Sequence, residues 1–228
     1  MNPSFKFYEF FCGGGMAREG LGTDWECVFA NDIDPKKGES YQTNWGGNAL
    51  KVTDVANITK EDLSIQADLA WASFPCQDLS LAGMGAGLKG DRSGTFWPFW
   101  KTISSLKREN RNPKIVVLEN VCGALTSHEG KDFSAICKAL NKEGYKFGAL
   151  VIDAVDFVPQ SRPRLFIVGV QSEIEHLDYL CLKTPSNKWH PEALIKAYSK
   201  LDKVTKGSWV WWNLPNPPKR KTTLIDVI

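Results

Sequence analysis

Short apolar runs recur along the chain, each ending in a polar or glycine-bearing turn, and this alternation predicts an α/β architecture. Phe5 to Phe11 runs into Cys12-Gly13-Gly14-Gly15, and Cys27 to Ala30 runs into Asn31-Asp32-Ile33-Asp34. Ala67 to Phe74 runs into Pro75-Cys76-Gln77, and Ile115 to Leu118 runs into Glu119-Asn120-Val121. In a parallel sheet such strand ends lie along one edge, where open α/β sheets bind ligands, so the four turns are expected to share a cleft.

Between the runs, Phe96, Phe99, Trp100, Ile103 and Leu106 recur at helical spacing, predicting a helix over 95–106 stopped by Asn112-Pro113. Phe133 to Leu140 reads the same way. Tyr145 to Ala154 and Leu165 to Val170 are strand-like runs joined by a short link, as in an antiparallel pair at a sheet edge. The pattern weakens from Glu173 on. The tryptophan-rich stretch 207–212, followed by Pro215, Pro217 and Pro218, reads as an extended surface segment whose aromatics serve packing rather than base stacking.

Composition narrows the picture little. With 228 residues, 43% apolar, the chain suits one good core, and a net charge of +2 neither demands nor excludes a nucleic-acid partner. The six cysteines lack CxxC or His-flanked spacing, which argues against a zinc site or a disulfide framework. Their free state fits a reducing cytoplasm. No uncharged apolar stretch reaches membrane-spanning length, so no membrane is expected, and the cysteine spacing leaves no metal expected.

The loop Phe11-Cys12-Gly13-Gly14-Gly15 lets a ligand approach the backbone closely. A dinucleotide fingerprint would put a third glycine where Arg18 stands, so the loop suits a cofactor without a pyrophosphate. Asp32, about twenty residues on at a strand end, is placed to accept hydrogen bonds from ribose hydroxyls. S-adenosylmethionine meets both conditions. A cysteine usually packs as a small hydrophobe, and Cys12, Cys27, Cys122, Cys137 and Cys181 are read so. Cys76 differs because Glu119 and the pair Arg162 and Arg164 offer an acid and two cations to a thiolate exposed behind Pro75.

Phe11-x-Gly13-x-Gly15, Asn31-Asp32-Ile33-Asp34, Pro75-Cys76-Gln77, Glu119-Asn120-Val121 and Gln160-x-Arg162-x-Arg164 together resemble, in order and separation, the cytosine-C5 DNA methyltransferase family. The resemblance covers about Phe7 to Val170. It implies a Rossmann-like S-adenosylmethionine-dependent methyltransferase fold, mostly parallel with an antiparallel edge, and methyl transfer to carbon 5 of a flipped-out cytosine in double-stranded DNA. Residues 1–172 would form the cofactor-binding and catalytic domain, and 173–228 an extension toward target recognition.

By the same resemblance Cys76 is the nucleophile, Glu119 acts on the ring at N3, and Arg162 and Arg164 hold the base. An ordinary salt bridge is an equal reading for Arg162. Phe11, Gly13, Gly15, Asp32, Ile33, Asp54, Val55, Pro75 and Phe96 would line the cofactor pocket. Ile33 stands where an aromatic residue is often found. Gln77, Ser80, Lys89 and Arg92, in or beside the glycine-rich stretch 80–90, would face DNA. The family's target-recognition region and late Gly-Asn-Ser motif are not in the sequence. The expectation is therefore a truncated or split enzyme, with a second chain or further C-terminal part supplying recognition. Two alternatives are a transfer-RNA cytosine-C5 methyltransferase and a catalytically silent module of the same fold.

Overall fold

The computed structural model describes residues 4–75, 95–175 and 177–226. They fall into two compact units, one made of the described residues up to Glu119 and the other of those from Asn120.

In the first unit, β1 (Phe5–Phe10), β2 (Trp25–Asp32), β3 (Leu50–Val52), β4 (Leu69–Ala72) and the start of β5 (Ile115–Val121) are parallel. The central strands bury nearly every side chain, which explains why β1, β4 and β5 read as continuous apolar runs rather than alternating ones. Helices α1 (Met16–Leu21), α2 (Pro35–Trp45) and α3 (Phe96–Lys107) belong to this unit. Proline opens α2 at its first turn, with Asp34 accepting from the Lys36 amide at 2.9 Å. The predicted helix over 95–106 is α3, and its buried face is the predicted stripe of Phe96, Phe99, Trp100, Ile103 and Leu106. Phe99 meets Phe10 edge to face at 4.8 Å, which seats the helix on β1.

The second unit is built on β6 (Tyr145–Asp153) and β7 (Pro163–Gln171), paired antiparallel from Tyr145↔Gln171 to Asp153↔Pro163 as the sequence predicts. Helices α4 (Lys131–Lys142), α5 (Glu192–Ser199) and α6 (Lys203–Lys206) pack here with the two-stranded ribbon of β8 (Cys181–Leu182) and β9 (Trp211–Trp212). The ribbon corrects the reading of 207–212 as a surface segment. Trp211 and Trp212 are buried, and the Trp212 indole donates to the Val168 carbonyl at 3.1 Å. Their role in packing is as expected: Trp189, Trp212, Leu150, Val170 and Leu177 form one core cluster.

In the first unit the strands lie in the order β3-β2-β1-β4-β5, all parallel, and in the second unit β7 and β6 pair antiparallel, so the described strands are mostly parallel with one antiparallel pair.

Candidate active site

Strand register brings Phe11, Asp32, Ser73 and Glu119, from four of the motif-bearing segments, to one edge of the first unit. Phe10 pairs with Asn31 of β2 and Ala72 of β4, and Ala72 pairs with Leu118 of β5, the residue before Glu119. Phe11, Asp32, Ser73 and Glu119 therefore stand at one level, Phe11 and Ser73 just past their strands, Asp32 at the last position of β2, and Glu119 still inside β5, which runs on to Val121 where the sequence predicts a turn. A parallel sheet makes this arrangement unavoidable once each motif directly follows its strand.

The glycine loop is tied down from several sides. Phe11 has φ +56°, a left-handed conformation costly for a bulky residue, by about 1–3 kcal/mol, and typical of functional loops. Gly13 follows with φ +54°, its amide donating to Asp32 Oδ2 at 2.9 Å, and open space lies where a β-carbon would project. Gly15, at φ +86°, opens α1. Asp32 is buried, and its Oδ1 accepts from the Asp34 amide at 3.0 Å, so the carboxylate links the loop to the turn after β2. Buried Asn31 donates to the Lys51 and Thr53 carbonyls and fixes β3 against β2.

Glu9 was not singled out in the sequence. It is 1% exposed near the C-terminal end of β1, where its Oε1 accepts from the Ala17 and Arg18 amides at 3.2 and 3.4 Å. Its Oε2 is buried without a hydrogen-bond partner among the described residues. Burial pushes the carboxyl up to about 7, against the pull of the two amides and the Arg18 charge. The available signal was a lone acid inside the apolar run Phe7-Tyr8-Glu9-Phe10-Phe11, since a carboxyl in a doubly covered strand requires partners. Arg18 reaches back to donate to the Tyr41 hydroxyl at 3.1 Å, and its guanidinium lies 4.8 Å from the Trp45 ring.

The other candidate cofactor residues have varied surroundings. Ile33 is 63% exposed beside Asp32. Asp54 caps the short turn Val55–Asn57, accepting from the Ala56 amide at 2.8 Å, and Val55 is buried. Pro75 is half-buried. Phe96 is fully buried between Phe74, Trp97 and Trp100. Cys76, Gln77, Ser80, Lys89 and Arg92 lie outside the described residues.

Glu119 is half-buried within β5, two residues before its end, and the neighbouring Asn120 accepts from the Val121 amide at 2.8 Å. In the second unit, Arg162 is exposed on the β6–β7 connection and Arg164 is half-buried opposite Ile152. Arg164 donates to the Pro163 carbonyl at 2.9 Å, and its charge opposes the upward push of burial on the Cys122 thiol.

The sequence model of the family described as C-5 cytosine-specific DNA methylase matches residues 5–224. The chain belongs to this family. Among its curated relatives are the type II methyltransferase M.Bsp6I of Bacillus sp. (strain RFL6) and M.MspI of Moraxella sp. The first is 35% identical, with 66% of this chain aligned to 46% of the relative. The second is 31% identical, with 78% of this chain aligned to 41% of the relative. The chain thus spans about half the length of these type II methyltransferases. In fold it is similar to the Dnmt2 methyltransferase of S. pombe (TM-score 0.61, 23% identity, 75% of this chain and 52% of that one). A putative DNA modification methyltransferase from an E. coli prophage is similar too (TM-score 0.60, 22% identity, 79% and 51%). Among the described residues no helix is long and apolar enough to cross a membrane.

Proposed function

We propose that this chain directs methyl transfer from S-adenosylmethionine to carbon 5 of cytosine in DNA, with Cys76 as the nucleophile. The observation that supports this most is the common level at which Phe11 of the glycine loop, Asp32, Ser73 and Glu119 follow the paired residues Phe10, Asn31, Ala72 and Leu118 of four adjacent parallel strands.

The residues present fit the cofactor. Asp32 offers a buried carboxylate for ribose hydroxyls, and the Gly13 surface is open to close approach. The unpartnered Glu9 Oε2 is an acceptor that the ammonium of a methionine moiety would satisfy. Ile33 and Phe11 supply apolar surface for the adenine, with Asp54 and Val55 beside its edge. Phe96 and Pro75 back the pocket.

Carbon 5 of cytosine is a poor nucleophile until a group adds to carbon 6. The Cys76 thiolate forms that sulfur–carbon bond, shifting the electron pair of the 5,6 double bond to carbon 5. Glu119 hydrogen-bonds the ring at N3 and stabilises the charge that develops there. Arg164 holds the ring oxygen, and Arg162 orients the base or its neighbours. Bound S-adenosylmethionine supplies the electrophilic methyl carbon. Removal of the carbon 5 proton by a base then restores the double bond and expels Cys76.

The target carbon is stacked inside the duplex, so the nucleotide is flipped out before addition. Gln77, Ser80, Lys89 and Arg92 meet the DNA near the flipped base, the two cations at phosphates. Residues 1–172 act as the catalytic part and 173–228 lead toward target recognition, supplied by a second chain or further C-terminal sequence.

The test offers S-adenosylmethionine with a labelled methyl group to mixed-sequence DNA and to total transfer RNA separately, with Cys76→Ala as control. Label on DNA that disappears in the variant is the expected result. Label on RNA alone would replace the DNA reading, and cofactor binding without transfer to either would favour a silent module.

A further inference from the structure

The connection 154–162 between β6 and β7 ends in the Gln160-x-Arg162-x-Arg164 motif and has little core of its own: Phe157 and Val158 are 46% and 41% exposed. Polar contacts hold it. The Asp153 carboxylate makes three of them. Its Oδ1 accepts from the Val155 amide at 3.1 Å and the Arg162 amide at 2.6 Å, while Oδ2 accepts from the Ser161 hydroxyl at 2.8 Å. A residue that merely capped the turn 154–156 would need only the first. The other two cross to the far end of the connection. At the crown, Arg220 donates to the Val155 and Val158 carbonyls, both at 3.2 Å, and Thr222 to the Phe157 carbonyl at 3.4 Å. The amide bonds hold the Asp153 carboxyl below its ordinary range, so it is ionised at neutral pH and its contacts are charge-assisted.

Arg162 immediately precedes β7 and Arg164 is its second residue, so where the chain is extended the two project to the same face. A one-residue slip of the register, in which Asp153 pairs with Pro163, would turn both away. We propose that Asp153 is the positioning residue that sets the direction of the Arg162 and Arg164 side chains. This rests on the reading above that the two arginines hold the target cytosine. Fastening the Arg162 amide and the Ser161 hydroxyl to the root of β6 fixes the register where the ladder ends, and the exposed connection cannot do so by packing.

The test compares Asp153→Ala, Asp153→Asn and Arg164→Ala in the full polypeptide. Asparagine keeps one oxygen for the two amides and offers an N–H to Ser161. Asp153→Ala should lower kcat for DNA methylation about 100-fold, the scale expected when a reacting group is misplaced by about 1 Å, with S-adenosylmethionine affinity unchanged. Asp153→Asn should recover most of that loss, and hydrogen exchange at the Arg162 amide should quicken in the alanine variant alone. Wild-type kcat in Asp153→Ala, or asparagine no better than alanine, would overturn the proposal. Unchanged exchange at Arg162 in Asp153→Ala would do so without any turnover. Full activity in Arg164→Ala would instead remove the arginine reading, and the proposal with it.

Discussion

Trp45 lies so close to Gly15 that a β-carbon there would stand 2.3 Å from its indole nitrogen. The ring cannot swing aside freely, because Nε1 donates to the Gly14 carbonyl at 3.1 Å and Arg18 covers its face. Gly15→Ala therefore meets two penalties, about 1–2 kcal/mol for a left-handed alanine and about 1–3 kcal/mol for overpacking. Gly13→Ala meets only the first, since nothing lies within 4 Å of its β-position. Urea denaturation should show Gly15→Ala as the more destabilised of the two. Equal losses would mean that Trp45 does not confine the loop.

Glu9 should make stability depend on pH. Its carboxyl is raised from 4.5 to about 7 by burial, so the folded state holds a proton that the unfolded state releases in between. The stabilisation is complete below about 4.5 and is lost as pH rises through about 7, with a total on the order of 3 kcal/mol. Glu9→Gln, neutral throughout, should flatten the profile between pH 4.5 and 7 and leave the variant more stable above it. Parallel profiles for the two proteins would show that Glu9 is already ionised across that window. If an ammonium occupies Oε2, cofactor binding near pH 7 should also release protons, measurable by calorimetry in buffers of different ionisation enthalpy.

Much of this was legible because each motif follows its strand directly. The runs ending at Phe11, Ala30, Phe74 and Leu118 lie on strands in which Phe10, Asn31, Ala72 and Leu118 stand at one level, and a parallel sheet translates sequence order into that edge. The stripe from Phe96 to Leu106 gave α3 for the same reason, a strict period on one buried face. What was missed depends on contacts distant in sequence. Trp211 and Trp212 look like an exposed aromatic cluster until β8, some thirty residues earlier, pairs with them. Glu9 was hidden by its apolar neighbours, and the bonding of Asp153 to Arg162 arises only when the hairpin closes. Short helices such as α5 and α6 carry too few turns for periodicity to announce them.

Gly148 provides a test of the second unit. A β-carbon there would stand 2.0 Å from the Val210 carbonyl oxygen and 3.0 Å from the Trp212 ring. Backbone cannot move aside as a side chain does, because the Val210 amide donates to the Phe147 carbonyl at 2.8 Å and the Phe147 amide to Ser208 at 2.9 Å. Gly148→Ala should cost about 2–4 kcal/mol through overpacking and lost bonds. Near-ultraviolet circular dichroism would follow the tryptophan cluster, whose signal should vanish at lower denaturant than in the wild type. An unchanged midpoint would refute the close approach.

Ile33 offers a gain rather than a loss. It is 63% exposed, directly after the carboxylate assigned to the ribose, and an isoleucine gives adenine only a small apolar face. Ile33→Trp would add a stacking surface worth about 0.5–1.5 kcal/mol, or roughly threefold to tenfold in affinity. Because the position is exposed, stability should change by no more than about 0.5 kcal/mol. Titration with S-adenosylmethionine, S-adenosylhomocysteine and adenosine separates the contributions, since a gain carried by the adenine appears equally with all three. A gain confined to S-adenosylmethionine would assign the contact to the charged sulfur end, and no gain with any would move the adenine elsewhere along the sheet edge.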